Sequence, residues 1–347
     1  MLSFTERIYI KPVPRNFTGI LAADIGGTNS NFGIFRSTND ELVLVLSLHF
    51  KSQQIKNFTD VVEEVLAYLQ TTYGISIEKA GFAAAGVVSE RRDWVKPTNL
   101  SIIIDAKDIL KKTGLSCVFV VNDFEIIGYG LNRIKQQELV KINNGKPRTH
   151  ANKAILGAGT GLGKCILIWH KELGRYIPSA SEGGHADFAP QTQDELDLVL
   201  FIKKTEKRRC NISWEDVLSG YGIQHIYRFF CYQNNMPCHS NGPHPDEIFK
   251  NRDEDENCHK TFKWYTLFYA RCAKDFTLDA LALSGVYIAG GIAAKNLPLF
   301  LDSSFMKEFI NCGKQQELLQ QVPIYVIANY NISMHGAAAY MLLENMC

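Results

Sequence analysis

Twice along this chain an apolar segment runs into a glycine-rich turn and a second apolar segment follows directly. The first copy is Ile20–Ile25, the turn GGTNS and Phe32–Phe35, and the second is Ala154–Leu156, the turn GAGTGLG and Cys165–Trp169. Short apolar runs bounded by turn residues are typical of buried strands, and glycine allows the tight backbone between them. The repeat therefore predicts an internally duplicated architecture in which each half opens with strand, turn and strand.

Helical and strand-like patterns alternate over the rest of the sequence. Apolar residues recur at helical spacing over Phe58–Leu69, and a long apolar helical pattern covers Phe262–Leu283, whereas Phe82–Val88 and Cys117–Val121 are typical of buried strands. This alternation predicts an α/β fold with parallel strands. A chain of 347 residues exceeds one typical domain. We therefore expect two domains, with the polar, turn-rich segment Asn143–Lys153 near their boundary.

The composition excludes several classes of protein. Hydrophobic residues make up 46% and charged residues 21%, which excludes a disordered or collagen-like chain, and the net charge of +1 gives no footprint for nucleic acid or a membrane surface. The amino terminus lacks an apolar signal-peptide core, no run of about 18 apolar residues occurs, and Glu344 stands where a prenylation box needs its cysteine. Nine cysteines without a C-x-x-C pair predict free thiols in the cytoplasm.

The glycine turns at three predicted strand ends are candidates for binding a phosphate. Glycines in Asp24–Thr28 and Gly157–Gly163 let the backbone approach an anion and present its N–H groups, and Ala289–Lys295 follows a strand and opens a predicted helix. None of them is a Walker loop or a dinucleotide fingerprint, which favours a mononucleotide on another scaffold. The alternatives are a tight hairpin turn for the first and a pair of packing glycines for the third.

Two groups of polar residues are candidates for catalysis and substrate binding. Asn122 and Asp123 end an apolar strand, where ligands collect in open α/β sheets, and a carboxylate there can accept a proton from a hydroxyl. The alternative is an Asx turn that caps the next helix. In the segment EGGHAD, the two glycines between Glu182 and His185 argue against a helix that would bind a metal through both residues. In a loop, the same two side chains can hydrogen-bond a polyol. A purely structural loop is the alternative.

Two further clusters are assigned no function. Cysteines and histidines between Cys231 and His259 match no standard zinc spacing, so we expect this polar stretch, Cys231–Lys260, to be a reduced, solvated loop or insertion. The basic run Lys203–Cys210 is interpreted as the solvated face of a helix rather than a partner site.

Six segments in a fixed order give the chain its resemblance to a known family. They are AADIGGTN, VVNDF, LGAGTGLG, SEGGHADFAP, WEDVLSGYG and VYIAGGIA, and together they resemble the bacterial-type glucokinase family of the actin-like ATPase and hexokinase superfamily. The resemblance implies a two-domain α/β fold of the actin-like ATPase (RNase H-like) type with a ligand cleft between the domains. It implies a small domain of residues 19–133 and 332–347, a large domain of residues 134–331, and an arm of residues 1–18 before them.

The resemblance also implies an activity and a set of site residues. The activity is transfer of the γ-phosphoryl group of ATP, with Mg²⁺, to the 6-hydroxyl of glucose, the entry step of glycolysis. Asp123 is implied as the catalytic base, and Asn122, Glu182, His185 and Glu215 as sugar contacts. Asp24 is the candidate for holding Mg²⁺ through water, since Mg²⁺ gives up its hydration reluctantly. The implied ATP-binding residues are Ala23, Asp24, Ile25, Gly26, Gly27, Thr28, Gly159, Thr160, Gly161, Gly290 and Gly291.

Some features depart from the family pattern, and other functions remain open. The segment LSIIID follows Thr98 and Asn99 where many sugar kinases of the superfamily have a Trp, so the wall of the sugar pocket is unassigned. The resemblance explains neither the arm nor the cysteine-containing stretch. The alternatives are a kinase for another hexose or with another phosphoryl donor, and a glucose sensor without turnover. Homodimerisation is also left open.

Overall fold

The computed structural model describes residues 3–38, 41–98, 100–239 and 241–343. Asn99, Glu344 and Cys347 lie outside these ranges. The described strands, in chain order, are β1 Thr5–Ile8, β2 Thr18–Ile25, β3 Asn29–Thr38, β4 Glu41–Lys51, β5 Ser76–Ala84, β6 Trp94–Val95, β7 Ile104–Asp105, β8 Cys117–Asn122, β9 Leu139–Lys141, β10 Lys153–Ala158, β11 Leu162–His170, β12 Arg175–Ser181, β13 Gly285–Ala289 and β14 Ile324–Ile327.

Helices follow or separate these strands. The described α-helices are α1 Phe58–Tyr73, α2 Ala106–Lys112, α3 Asp123–Leu131, α4 Gln193–Thr205, α5 Trp214–Val217, α6 Gly220–Gln233, α7 Pro245–Lys250, α8 Glu256–Asp279, α9 Gly291–Lys295, α10 Pro298–Leu301, α11 Ser303–Phe309, α12 Gln316–Gln321 and α13 Ile332–Leu343. The alternation predicted from the sequence is confirmed, although the strand expected over residues 82–88 ends at Ala84.

The chain divides into two compact units. The first comprises residues 1–135, 175–180 and 331–347, and the second comprises residues 136–174 and 181–330. This division differs from the boundaries expected from the sequence mainly in residues 175–180, which group with the first unit. Both halves do open with the repeated pattern, because β2 pairs with β3 and β10 pairs with β11 as antiparallel neighbours on either side of a glycine turn.

The first unit is built on a six-stranded sheet with the order β1-β4-β3-β2-β5-β8. Strands β2, β5 and β8 are parallel, as the sequence predicted. Successive residues of a strand point to opposite faces. Accordingly Leu21 and Ala23 join the core that includes α1, while Ile20 and Ala22 join the core that includes α13. The carboxyl ends of the parallel strands thus lie at one edge of the sheet, where Asp24 and Asn122 stand.

The amino-terminal arm, unexplained by the sequence, is part of this sheet. Strand β1 pairs antiparallel with β4, so the arm supplies an edge strand. Phe4 packs against Phe50 and Tyr68 at ring-centroid distances of 5.4 and 5.0 Å. The carboxylate of Glu6 accepts hydrogen bonds from the hydroxyls of Tyr68 and Tyr73. The arm is therefore held by both apolar and polar contacts.

In the second unit, five strands lie in the order β11-β10-β13-β14-β9, with β10, β13 and β14 parallel. The long helix α8 is buried along most of its length. Its Arg271 donates to Glu195 of α4 at 2.8 Å and to Glu308 of α11 at 2.6 Å, all three side chains being largely buried. Burying a charge is tolerated when it is paired and hydrogen-bonded. This ionic network therefore fixes two helices to α8.

Two expectations about the cysteine-containing stretch and the thiols are corrected here. Residues 231–260 are not a solvated loop throughout, because they contain α7 and the start of α8, and Cys231 and Cys258 are buried. Cys117 is disulfide-bonded, whereas the other seven described cysteines are free. The expectation of free thiols is thus wrong for Cys117. Within the described ranges, no helix has the length and apolar character needed to span a membrane.

Candidate functional site

The turn between β2 and β3 presents backbone N–H groups in one direction. The carbonyl oxygen of Gly26 accepts from the Ser52 hydroxyl at 2.6 Å, and that of Gly27 accepts from the Gln53 amide at 3.1 Å. In a planar trans peptide the N–H of the next residue points away from the carbonyl. The N–H groups of Gly27 and Thr28 therefore face away from the Ser52–Gln53 side. This is the arrangement that an anion-binding turn requires.

Asp24, the last residue but one of β2, has a carboxylate whose environment disfavours its charge. Burial raises the pKa of Asp24 from 3.8 to about 6, and a hydrogen bond from Ser333 of α13 opposes that shift. The residue as a whole keeps some exposure, which reduces the cost of this desolvation. A nearby cation would relieve this cost, because opposite charge favours the ionised form. The carboxylate therefore fits a Mg²⁺ ion that keeps most of its waters.

Asn122 and Asp123 stand where β8 becomes α3. The side-chain oxygen of Asn122 accepts from the N–H groups of Phe124 and Glu125, both at 3.0 Å, and its amide lies 3.3 Å from the Gly86 carbonyl. The Asx cap that the sequence left open is thus present at Asn122. Asp123 is partly buried as the first residue of α3, and its Oδ1 also accepts from Phe124 N–H at 3.0 Å. A carboxylate is stabilised at a helix amino terminus.

An ion pair holds the first turn of α3 in place. Arg92 donates to Glu125 at 2.6 Å, and its guanidinium lies over the ring of Tyr340 at 5.3 Å. Glu125 is largely buried. The ion pair therefore fixes α3 at Glu125, two residues after Asp123. This limits how far the Asp123 carboxylate can move. No sequence pattern indicated that Arg92 is part of the site, because it lies in an irregular loop.

In the second unit, backbone hydrogen bonds and the Glu215 carboxylate hold the turn Gly157–Gly163 in place. Gly159 N–H donates to Gly161 O at 2.8 Å, and Gly159 O accepts from the N–H of Gly220 at the start of α6, at 2.9 Å. A Cβ atom at Gly161 would lie 2.4 Å from a carboxylate oxygen of Glu215. The same Glu215 oxygen accepts from the N–H of Leu162 at 2.8 Å. Glu215 thus stabilises the turn Gly157–Gly163 through this hydrogen bond.

Two tyrosines one turn apart on α8 lie beneath this turn. The Tyr269 hydroxyl accepts a hydrogen bond from Ala158 N–H at 3.2 Å, at the end of β10. The hydroxyl of Tyr265 is buried and has no hydrogen-bond partner among the residues that the structure describes. A buried donor that loses its partner costs about 1–3 kcal/mol, whereas removing an unpaired buried hydroxyl is close to neutral or stabilising.

We therefore expect opposite results for the same substitution at the two positions. Tyr269→Phe should lower the free energy of unfolding by about 1–2 kcal/mol, because Ala158 N–H becomes an unsatisfied buried donor. Tyr265→Phe should leave that free energy unchanged or raise it. Urea denaturation of both variants measures the difference. Equal destabilisation by the two substitutions would contradict this interpretation of the hydrogen bond.

Three of the predicted sugar contacts come together in the second unit. Glu182 immediately precedes the short 3₁₀ turn Gly183–His185, and His185 is the last residue of that turn. His185 Nε2 lies 3.7 Å from Glu182 Oε2. His185 Nδ1 lies 4.0 Å from Glu215 Oε1. Gly184 is required there, because a Cβ atom would lie 1.9 Å from the Leu162 carbonyl oxygen. The imidazole therefore lies between two carboxylates that are each at least one-third exposed, an arrangement suited to hydrogen bonds with several hydroxyl groups.

The third glycine turn lies beside a shallow pocket in the same unit. Gly290 has φ +94°, and a Cβ atom on it would lie 2.7 Å from the Ala158 carbonyl oxygen, so the turn packs closely on the end of β10. Helix α9 begins at Gly291. A small, open depression adjoins it, lined among others by Ile223, Pro245, Phe249, Phe262, Gly291 and Lys295. Part of the cysteine-containing stretch, through α7, thus forms one wall of this pocket.

The two units carry different parts of the predicted site. Asp24, Gly26, Gly27, Thr28, Asn122 and Asp123 belong to the first, and Gly159, Thr160, Gly161, Glu182, His185, Glu215, Gly290 and Gly291 belong to the second. Sequence reasoning missed the residues that orient these groups, among them Ser52, Ser333 and Tyr269. Each of them is distant in sequence from its partner, so no local spacing indicated the contact. Across the described residues, no group of three or more His, Cys, Asp or Glu side chains is arranged as a metal site.

Comparison with known proteins gives one consistent result. The family model described as Glucokinase matches residues 21–344. A glucokinase of Nostoc punctiforme is 31% identical over 345 residues, covering 92% of this chain and 98% of that protein. A glucokinase of Hahella chejuensis is 29% identical, covering 92% and 95%.

Solved structures agree with the sequence comparison. The crystal structure of a glucokinase from an Antarctic psychrotroph has a TM-score of 0.76 at 26% identity, covering 94% of this chain and 99% of that one. A Balamuthia mandrillaris glucokinase solved in complex with glucose has a TM-score of 0.81 at 21% identity, covering 92% of each chain. These similarities confirm the expected fold class. With its family model matched over nearly its whole length, the chain belongs to the glucokinase family.

Proposed function

We propose that this protein is an ATP-dependent glucokinase that converts glucose to glucose 6-phosphate, the entry step of glycolysis, in the cytoplasm. The observation that carries the proposal is Asp123, a carboxylate at the carboxyl end of a parallel strand and the amino end of a helix, in a chain of the glucokinase family. Ligands of open α/β sheets bind outside the carboxyl ends of strands. The position is therefore suitable for a group that acts on a bound substrate.

Asp123 acts as the general base in this proposal. A sugar hydroxyl is a very weak acid, so the carboxylate takes the 6-hydroxyl proton as the new bond to phosphorus forms. The ion pair of Arg92 with Glu125 keeps the first turn of α3 in place while this occurs. The side-chain amide of Asn122 lies 3.3 Å from the Gly86 carbonyl oxygen. The same amide would therefore serve both Gly86 and any contact of Asn122 with the sugar.

The nucleotide is bound mainly by backbone groups. N–H groups of Gly27, Thr28, Thr160 and Gly161 would bind phosphate oxygens, and the pocket beside Gly291 would accept the base. Mg²⁺, held through water by Asp24, would supply neutralisation of the phosphate charge. Phosphoryl transfer depends on positioning and charge neutralisation, which these groups provide.

The sugar is recognised by Glu182, His185 and Glu215. With two carboxylates and one imidazole, this group can accept from and donate to neighbouring hydroxyls of one hexose. A sugar that leaves such groups unpaired binds less well, because unpaired polar groups in a closed site are costly. Discrimination between hexoses is therefore expected to come from this loop.

A coupled assay with several sugars and donors tests the function. With ATP and Mg²⁺, we expect glucose to be phosphorylated with a higher kcat/KM than mannose or glucosamine, and polyphosphate to be a poor donor. A calorimetric titration with glucose is run on the same preparation. Binding without any phosphorylation would instead identify a sugar sensor, and preference for another hexose would change the substrate assignment.

A further inference from the structure

We propose that Arg208 is a positioning residue for sugar binding, which acts on Glu215 through the adjacent Asp216. The proposal rests on the proposed function, in which Glu215 contacts the hexose. Arg208 belongs to the basic run Lys203–Cys210, which the sequence suggested is a solvated helix face. That interpretation is wrong for Arg208, because α4 ends at Thr205 and the guanidinium of Arg208 is bonded to the Asp216 carboxylate.

The Asp216 carboxylate organises the short helix that carries Glu215. Helix α5 has only four residues, too few to be stable on its own. Asp216 Oδ2 accepts from both the N–H and the hydroxyl of Ser213, at 2.8 and 2.9 Å, and the bond from the N–H is one half of a capping box between these two residues. The other oxygen, Oδ1, takes the bond from Arg208. Asp216 is largely buried, so loss of Arg208 would leave a buried carboxylate without its ionic partner.

A second set of contacts connects the same segment to the sugar loop. Phe188 N–H donates to Ile212 O at 2.8 Å, and Trp214 N–H donates to Ala186 O at 2.9 Å. The chain between Arg208 and Glu215 therefore runs beside the residues that immediately follow His185. A displacement of this segment would move Glu215 and His185 relative to each other.

The nearby charged groups distinguish Arg208 from its neighbours. Arg228 is bonded to Glu206 at 2.7 Å, and His225 Nδ1 donates to the Asp216 carbonyl at 2.9 Å, so neither replaces the bond to the Asp216 carboxylate. Arg209 is exposed. It has the same side chain one residue away and provides a matched control. If the role of Arg208 were merely structural, its loss would weaken the binding of glucose and of ATP alike. If Arg208 positions Glu215, its loss should weaken mainly the binding of glucose.

The experiment compares Arg208→Gln, Arg208→Lys and Arg209→Gln. For Arg208→Gln we expect the Kd for glucose, measured without nucleotide, and the KM for glucose to rise about tenfold, since small displacements of binding groups have effects of this order or larger. The KM for ATP should stay within about twofold. Arg208→Lys should recover most of the sugar affinity, and Arg209→Gln should match the parent protein.

Each outcome bears on the proposal. An unchanged Kd for glucose in Arg208→Gln, or equal increases in both KM values, would overturn it. If that variant does not fold, Asp216→Asn, which keeps the capping geometry and removes the charge, is expected to show the same glucose-specific increase, and its absence has the same meaning. Failure of the parent protein to bind or phosphorylate glucose would instead refute the proposed function.

Discussion

Asp123→Asn is expected to lower the turnover number by about two to four orders of magnitude while leaving the affinity for glucose within a small factor. The amide keeps the size and the local hydrogen bonding of the carboxylate, so Asn122 and α3 should remain in place. It cannot accept the proton of the 6-hydroxyl. The loss should therefore appear in kcat under saturating glucose and ATP, and titration calorimetry with glucose should show little change.

A control for this experiment is available on α4. Asp194 also lies in the first turn of a helix and is exposed, so Asp194→Asn makes the same chemical change at a comparable backbone position. We expect its kcat to match that of the parent protein. Near-normal turnover in Asp123→Asn would show that Asp123 is not the base, whereas a large loss of glucose affinity would indicate a binding role instead.

The sequence predicted the parts of the fold that depend on local pattern. Both copies of strand, turn and strand were predicted because apolar runs and glycines lie next to each other in the chain. Helix α8 was predicted with its start six residues late, since the apolar periodicity begins at Phe262 whereas the helix begins at Glu256 with Asp255 as its cap. The arm was predicted, but strand β1 within it was not, because its pairing with β4 joins residues about 40 positions apart.

In the candidate site, too, the sequence could predict only the residues that a local pattern indicates. Asp123, Glu182 and His185 follow strand ends in recognisable segments, so the sequence could propose them. Their supports could not be proposed in the same way. Arg92 acts on Glu125, and Arg208 acts on Asp216, through contacts that exist only once loops and helices have packed. Long polar side chains in irregular segments are usually solvated, and sequence alone offers no reason to treat these two arginines differently.

Asp24→Asn is expected to reduce activity while stabilising the protein at neutral pH. Loss of the carboxylate proposed to hold Mg²⁺ should lower kcat/KM by about a hundredfold or more, because metal neutralisation of phosphate charge contributes several kcal/mol. The pKa of Asp24 is about 6 in the folded protein against an ordinary 3.8. The ionised carboxylate is therefore a cost to folding that the neutral amide avoids.

The sign and the pH window of this effect follow from proton linkage. A carboxyl with a raised pKa favours the folded state most below its unfolded pKa, and that contribution is lost as the pH rises towards the folded pKa of about 6. The stability advantage of Asp24→Asn should thus be small near pH 4 and should reach about 1–3 kcal/mol above pH 7, since the partial exposure of the residue reduces the effect of the raised pKa.

Denaturant unfolding at several pH values in the presence of EDTA measures this advantage without metal. Ser333→Ala provides the opposite test, since removing a hydrogen bond that lowers the pKa of Asp24 should increase the cost of ionisation and destabilise the protein more at pH 8 than at pH 5. A pH-independent difference between Asp24→Asn and the parent protein would contradict a buried carboxylate. Lower activity and higher stability are expected together in Asp24→Asn, because a carboxylate placed to bind a cation is poorly solvated while the cation is absent.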